Sequence, residues 1–399
     1  MPPSAPNHKP VARPGREPDH GAVAPIAPVR ADGVVTLRPF RETDVDDMVV
    51  MGRDPDTVAN TTIPHPYERR HAEEWVAEPG KERETTACWA VEADDGGTAR
   101  FAGTVDLRGH PTEIGYVLAP WARGRGHMTR AVRLAVRWAF EEAGLPVVHW
   151  QARAGNLASW RVAHACGFTF HGEIPLAIPH RGALCDAWHA SLRATDDGRP
   201  RTTWWPTPVL EDDRVRLRPA TDADVPRITA ACRDPRTRYW LPDLPDPYTE
   251  DHARSFIREA ALEASLGQRV AWVVADPADD RLLARVSVFR LTDPMNPTGA
   301  EIGYWAHPEA RGRGVMSAAV ELVVAHAFTP IADGGLGRHR LQIGSSWGNA
   351  ASRHVAERAG FTLVGHFHAD GVVGRGELDD GAWYELLRDP PATGARSSD

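Results

Sequence analysis

The segment Glu113-Ile-Gly-Tyr-Val-Leu-Ala-Pro-Trp-Ala-Arg-Gly-Arg-Gly-His-Met128 returns as Glu301-Ile-Gly-Tyr-Trp-Ala-His-Pro-Glu-Ala-Arg-Gly-Arg-Gly-Val-Met316. Glu113 and Glu301 are 188 positions apart, and so are Arg123 and Arg311, so the internal spacing is kept residue for residue. A copy at this range means two structural units of one kind. Other landmarks recur in the same order. Val35-Thr-Leu-Arg-Pro39 matches Val215-Arg-Leu-Arg-Pro219, and Asp54-Pro55 matches Asp234-Pro235. Asn156-Leu-Ala-Ser159 matches Asn349-Ala-Ala-Ser352, Gly167-Phe168 matches Gly360-Phe361, and Ala187-Trp188 matches Ala382-Trp383. The separation steps from 188 to 193 near Ala332-Asp-Gly-Gly-Leu-Gly337, which reads as a loop insertion.

Two units of this size fit the ordinary domain range, and each is long enough to bury its own core. Residues 1–33 are proline-rich with little apolar periodicity and read as a disordered tail. The first unit is placed at 34–194, a linker at 195–213, the second unit at 214–389, and a frayed end at 390–399. Trp204-Trp205 is odd for a free linker and is expected to pack on a domain surface. The four cysteines form no C-x-x-C pair and no disulfide framework. No stretch approaches the ~20 apolar residues of a membrane span, and no signal-peptide apolar region opens the chain. A cytoplasmic protein with no membrane partner is expected. The net charge of −8 disfavours nucleic acid, and it makes the arginine pairs of the two glycine-rich turns local positive spots suited to a small anion.

Within the first unit, Val34 to Leu37 reads as a strand, and Thr43-Asp44 as the cap of a first helix. Tyr67 to Val76 reads as a second helix. Thr86 to Glu92, Arg100 to Leu107 and Glu113 to Leu118 read as strands joined by Asp/Gly turns. Met128, Ala131, Val132, Ala135, Trp138 and Ala139 form a helical stripe. Val147 to Ala152 is a strand, and Ser159 to Cys166 a short helix ended by Gly167. Phe168 to Phe170 and Asp186 to Leu192 close the unit. The fold class is α/β, a mixed sheet with flanking helices, built twice.

Arg123-Gly-Arg-Gly126 and Arg311-Gly-Arg-Gly314 each precede a helix. A helix N-terminus offers unpaired N–H groups and about half a positive charge, and glycines let the backbone approach an anion. A nucleotide P-loop would need Gly-Lys-Ser/Thr, where Gly126-His127 and Gly314-Val315 stand instead. A dinucleotide fingerprint would need a third glycine where Thr129 and Ser317 stand. What remains is the [QR]-x-x-G-x-[GA] pattern of an acyl-coenzyme A pyrophosphate loop.

With L-R-P near each start, E-I-G-Y before the loop, R-G-R-G, N-x-x-S and G-F in order in both copies, the chain resembles the GNAT superfamily of N-acyltransferases. It is similar to the branch that includes the N-terminal acetyltransferases of ribosomal proteins. The resemblance covers nearly all of residues 34–389 and implies two tandem acyl-CoA N-acyltransferase domains. The cosubstrate it implies is acetyl-CoA, and the partner an amine acceptor. It implies that Arg123, Gly124, Arg125, Gly126, His127 and Met128 cradle the pyrophosphate through backbone N–H groups. Arg311, Gly312, Arg313, Gly314, Val315 and Met316 would do the same in the second unit. Met128 and Met316 depart from the strict pattern, and their side chains are expected to turn into helix–sheet packing. Val117-Leu118 and Trp305-Ala306 would pair with the pantetheine arm. Asn156 and Asn349 would bind the pantetheine or acyl region; an asparagine there also caps a helix.

Transfer to an amine needs a neutral nucleophile, a stabilised oxyanion and a proton for the leaving thiolate. The tyrosine that many relatives place seven residues after the asparagine is Ala163 or Ala356 here. Ser159 and Ser352 are the substitute hydroxyl donors, with helix capping as their competing role. Glu113 and Glu301 are the candidate bases, with a solvated strand edge as the alternative. Tyr116 and Tyr304 alternate to the opposite face and read as core aromatics. The histidines show no H-E-x-x-H spacing, so no metal is expected. An acyl-CoA-binding regulator with one or both units inactive is the alternative to an enzyme.

Overall fold

A computed structural model describes residues 27–80 and 85–388. The chain divides into two compact units at Arg201/Thr202. The first unit runs β1 (Arg30–Ala31), β2 (Val35–Arg38), α1 (Val45–Arg53), α2 (Pro55–Asn60), α3 (Arg69–Ala77), β3 (Thr85–Asp94), β4 (Ala99–Arg108), β5 (Glu113–Leu118), α4 (His127–Glu141), β6 (Val147–Arg153), α5 (Leu157–Ala165), β7 (Thr169–His180) and β8 (Ala183–Arg193). The second unit repeats it as β9 (Leu210–Glu211), β10 (Arg216–Arg218), α6 (Val225–Arg233), α7 (Pro235–Trp240), α8 (Glu250–Ser265), β11 (Arg269–Ala275), β12 (Leu282–Phe289), β13 (Gly299–Ala306), α9 (Val315–Phe328), β14 (Arg340–Ser346), α10 (Ala350–Arg358), β15 (Thr362–Val373) and β16 (Glu377–Leu387).

Each unit holds one eight-stranded sheet, in the orders β1-β2-β3-β4-β5-β6-β8-β7 and β9-β10-β11-β12-β13-β14-β16-β15. All pairings are antiparallel except β5 with β6 and β13 with β14. A parallel pair needs a long crossover, and α4 and α9 supply it.

Alternation along β11 shows how the sheet splits its side chains. Val270, Trp272 and Val274 join the core under α9. Val273 and Ala275 join a second core under α6 and α8. Both faces are therefore covered, and β4 and β12 are buried along nearly their whole length.

The starts of both units lie further toward the N-terminus than the sequence reading placed them. Residues 27–33, placed in the tail, contain β1, which pairs with β2. Trp205 and Leu210, placed in the linker, belong to the second unit: Trp205 lies in its core and β9 pairs with β10. The cause is the same twice. A core tryptophan, Trp89 or Trp272, donates its indole N–H to the carbonyl of Pro28 at 2.9 Å or Pro208 at 2.8 Å, holding the preceding chain on the sheet. The rest of the proposed tail, 1–26, and the end from 389 lie outside the described residues. Among the described residues no helix is long and apolar enough to cross a membrane.

Candidate active site

Both glycine-rich turns adopt the backbone that only glycine takes freely. Gly124 and Gly126 have φ of 74° and 76°, and Gly312 and Gly314 have 73° and 75°. A Cβ built on any of the four meets no atom within 4 Å, so the backbone faces open space. Gly126 and Gly314 are the N-caps of α4 and α9, and the first N–H groups of each helix emerge there. Met128 and Met316 are buried in the helix–sheet packing, as their place in the loop led us to expect. His127 is also buried, with both ring nitrogens lacking a hydrogen-bond partner. Burial lowers its pKa, helped by Arg125 and Arg130.

The first arginine of each loop turns away from the open space. Arg311 bonds Asp234 and, at 2.8 Å, Thr237 Oγ1, and Arg123 bonds Asp54 and, at 2.9 Å, Thr57 Oγ1. Asp54 and Asp234 cap α2 and α7, so each arginine ties its loop to a short helix. Burial would raise these carboxyls, but the arginine and threonine bonds outweigh it and hold both below the usual range. The second arginines are freer: Arg125 lies over the Trp121 ring and Arg313 is half exposed.

Beyond the loop the parallel strands part. β5 pairs with β6 only at Glu113, opposite His149, and β13 pairs with β14 only from Gly299 to Glu301. Past the glutamates, Val117-Leu118 and Trp305-Ala306 keep β4 and β12 on one side and no strand on the other. Such an edge leaves backbone groups that need partners.

A tyrosine bridges each gap. Tyr116 donates to the Ser159 carbonyl at 2.8 Å, and Tyr304 to the Ser352 carbonyl at 3.1 Å. Tyr304 also lies 3.1 Å from Ser352 Oγ, and burial pushes its pKa up to about 12. In the first unit Ser159 Oγ instead accepts from Trp150 Nε1 at 3.1 Å. Neither serine caps its helix. Asn156 and Asn349 do so, accepting the backbone N–H of Ser159 at 3.1 Å and of Ser352 at 3.2 Å. The reading of Tyr116 and Tyr304 as plain core aromatics is thus incomplete. The tyrosine repeats with Glu three residues before it in both copies, a signal that could have marked it.

The two glutamates differ. Glu113 accepts from Arg108 at 3.0 Å, and the same guanidinium bonds Asp106. In the second unit Phe289 and Ser287 take the register places of Arg108 and Asp106. Glu301 is mostly buried, and burial raises its pKa against the opposing charge of Arg290, whose exposed side chain lies 3.1 Å away.

In the second unit a cavity of about 1090 Å³ gathers Glu301, Trp305, Ala306, Arg311 to Met316, Asn349 and Ser352. Tyr304, Trp240, Asp370, Asp380 and Trp383 also line it. Sequence reasoning named Asp380 only as a fallback base, beside Glu173, Asp186 and Glu377, and did not select the other four for the site. Asp370 and Asp380 come from β15 and β16, whose long hairpin the sequence reading cut short.

A family model described as an acetyltransferase (GNAT) domain matches residues 35–169 and again 214–362. The chain belongs to the GNAT family. It is thus a tandem GNAT N-acetyltransferase, and an acyltransferase by class. One relative is the probable N-acetyltransferase YjcK of Bacillus subtilis (strain 168), 31% identical over 180 residues, covering 44% of this chain and 93% of the relative. Another is the putative ribosomal N-acetyltransferase YdaF of the same organism, 36% identical over 189 residues, covering 45% and 93%. Among solved structures, one described as a probable acetyltransferase is 25% identical, with TM-score 0.39, covering 46% of this chain and 98% of its own. The spermidine N-acetyltransferase from Vibrio cholerae in complex with CoA and spermine is 18% identical, with TM-score 0.37, covering 44% and 96%. Each match spans about one GNAT unit of the chain.

Proposed function

We propose that this protein transfers the acetyl group of acetyl-CoA to an amine, and that the second unit carries the chemistry. The observation that supports this most is the single cavity joining the glycine loop to Glu301 and the Tyr304–Ser352 pair. The residues fit the coenzyme. The loop glycines face open space at a helix N-terminus, where the N–H groups and the helix dipole attract a pyrophosphate. Arg313 adds charge at the mouth. The unpaired edge of Trp305-Ala306 offers backbone partners to an amide-bearing arm, and Asn349 stands beside it.

Bound acetyl-CoA supplies a thioester carbonyl and a thiolate leaving group. Glu301 takes the proton of the attacking amine, its raised pKa bringing it nearer to working pH. Tyr304 stays protonated at neutral pH and holds Ser352 by its carbonyl; the Ser352 hydroxyl, which rests on the Tyr304 oxygen, turns to donate towards the sulfur as charge develops there. Asp370 and Asp380, with Trp240 and Trp383, make the other end of the cavity suited to a cationic amine. The free cysteines suit a reducing compartment, so the cytoplasm is the proposed location.

A second reading applies to the first unit. There Arg108, mostly buried and shared between Glu113 and Asp106, holds the glutamate more firmly as a cation's partner than the exposed Arg290 holds Glu301. That arrangement favours coenzyme binding without turnover. The test is thiol release from acetyl-CoA with a panel of amines, on Glu113→Gln and Glu301→Gln separately. Loss of turnover in Glu301→Gln alone supports the assignment; loss in Glu113→Gln alone moves the chemistry to the first unit. No acetyl-CoA binding by calorimetry in the parent would end the reading altogether.

A further inference from the structure

We propose that His366, His368 and Asp380 bind a divalent transition-metal ion of the zinc class at the rim of the second-unit cavity. Sequence spacing gave no sign of this, because the ligands come from two strands. His366 and His368 sit two residues apart on β15, and β16 brings Asp380 beside them. Asp380 Oδ2 lies 2.8 Å from His366 Nε2 and 3.1 Å from His368 Nδ1. The three ligand atoms lie within 4.8 Å of one another, and among the described residues no other group of three His, Cys, Asp or Glu side chains does so.

The surroundings hold this arrangement in place. The β15–β16 register shifts between Phe367 and Gly371, and Ala369 within that bulge has φ of 52°. The first unit has the same turn, with Leu176 at φ 51° and its N–H on Asp186 Oδ1, so the bulge is a shared frame on which the two histidines are particular to the second unit. In the second unit it turns the Ala369 N–H onto Asp380 Oδ1 at 2.9 Å. One carboxylate oxygen is thereby fixed by backbone, and the other is left to both imidazoles. The Trp347 ring stacks on His366 at 4.0 Å and 21°, and the Trp347 backbone N–H donates to the Asp380 backbone carbonyl. Ligand orientation by such outer contacts is a general property of metal sites.

The donor set decides the class of ion. Two imidazoles and one carboxylate suit zinc, cobalt, nickel or copper, whereas magnesium and calcium want oxygen ligands. Three protein ligands leave at least one position open. A metal ion takes the lone pairs of the two ring nitrogens that face Asp380 Oδ2; acid, which protonates imidazole, competes with it for them. Because Asp380 also lines the cavity, bound metal removes a carboxylate from the wall that faces a cationic acceptor.

The experiment is calorimetric titration of the full, tag-free chain with zinc chloride at pH 7.5 and pH 5.5, compared with His368→Ala and Asp380→Asn. The His368 side chain is 86% exposed, so its replacement leaves the fold intact. The expected result is one zinc ion per chain that is lost in His368→Ala, with affinity reduced at least ~100-fold, since even outer contacts of metal ligands are worth ~10–100-fold. Binding should weaken at pH 5.5, with magnesium unable to compete. An unchanged zinc isotherm in His368→Ala overturns the proposal, as does equal affinity for magnesium. The readout is metal binding, so it stands or falls apart from acyl transfer.

Discussion

The hydroxyl of Tyr304 lies 3.1 Å from both the carbonyl oxygen and the Oγ of Ser352, tying β13 to the first turn of α10 across the gap where the sheet opens. The helix cap is Asn349, so the Ser352 hydroxyl has no capping duty. Ser352→Ala should therefore lower kcat more than it raises KM, while Tm moves little. Asn349→Ala should cost ~1 kcal/mol of stability through the lost cap. Melting curves and turnover on the same two variants check this, and unchanged turnover in Ser352→Ala removes the serine from the mechanism.

Glu301 sets a pH expectation. Its carboxyl is raised by burial, so the basic form appears at higher pH than for an ordinary glutamate. Turnover should fall as pH drops through that raised value. Glu301→Gln should erase this acid limb and lower turnover about 100-fold or more. If the variant keeps the parent's limb, the base is another group, with Glu377 and Asp380 the first to examine.

The glycine turns predict a defect confined to one unit. Gly314→Val puts a side chain where no protein atom now stands, in a backbone region that costs roughly 1–2 kcal/mol for such a residue. Two-site calorimetry should show acetyl-CoA binding lost from the second unit and retained by the first; Gly126→Val should do the reverse. Undisturbed binding in both variants would falsify the cradle.

Asp234 gives a stability test whose sign is fixed. Its folded pKa is depressed, so the carboxylate stabilises the fold fully above the unfolded value of about 3.9. That contribution fades as pH falls through the lower, folded value. Asp234→Asn should lower Tm clearly at pH 7, and the gap to the parent should close in strong acid. A gap of constant size from pH 7 to pH 2 would assign the effect to packing.

Much of this was legible in the sequence because the repeat gave every landmark twice. β5 was placed at Glu113–Leu118 from alternation and flanking turns, and α4 from its apolar stripe. α2 and α7 were missed because six residues are too few to show a helical period. β1 and β9 were missed because two residues show no alternation, and only the buried tryptophans explain why they hold. In the site, the loop glycines, Asn349 and Glu301 could be read from motif and position. The contrast between Arg108 and Phe289 could not, because it appears only once β4 and β12 are set in register with the strands beside them. The His366–Asp380 contact was hidden for the same reason, being made across a bulge.

The parted strands give the two units different handles for a blocker. An extended, amide-rich molecule can pair with the free edge of β13 as readily as with that of β5. What it meets beside that edge differs: Trp305 in one unit and Val117 in the other. A flat ring appended at that point would stack on the indole and find nothing comparable on the valine. One chain could thus be silenced a half at a time, separating in a single preparation what each half contributes.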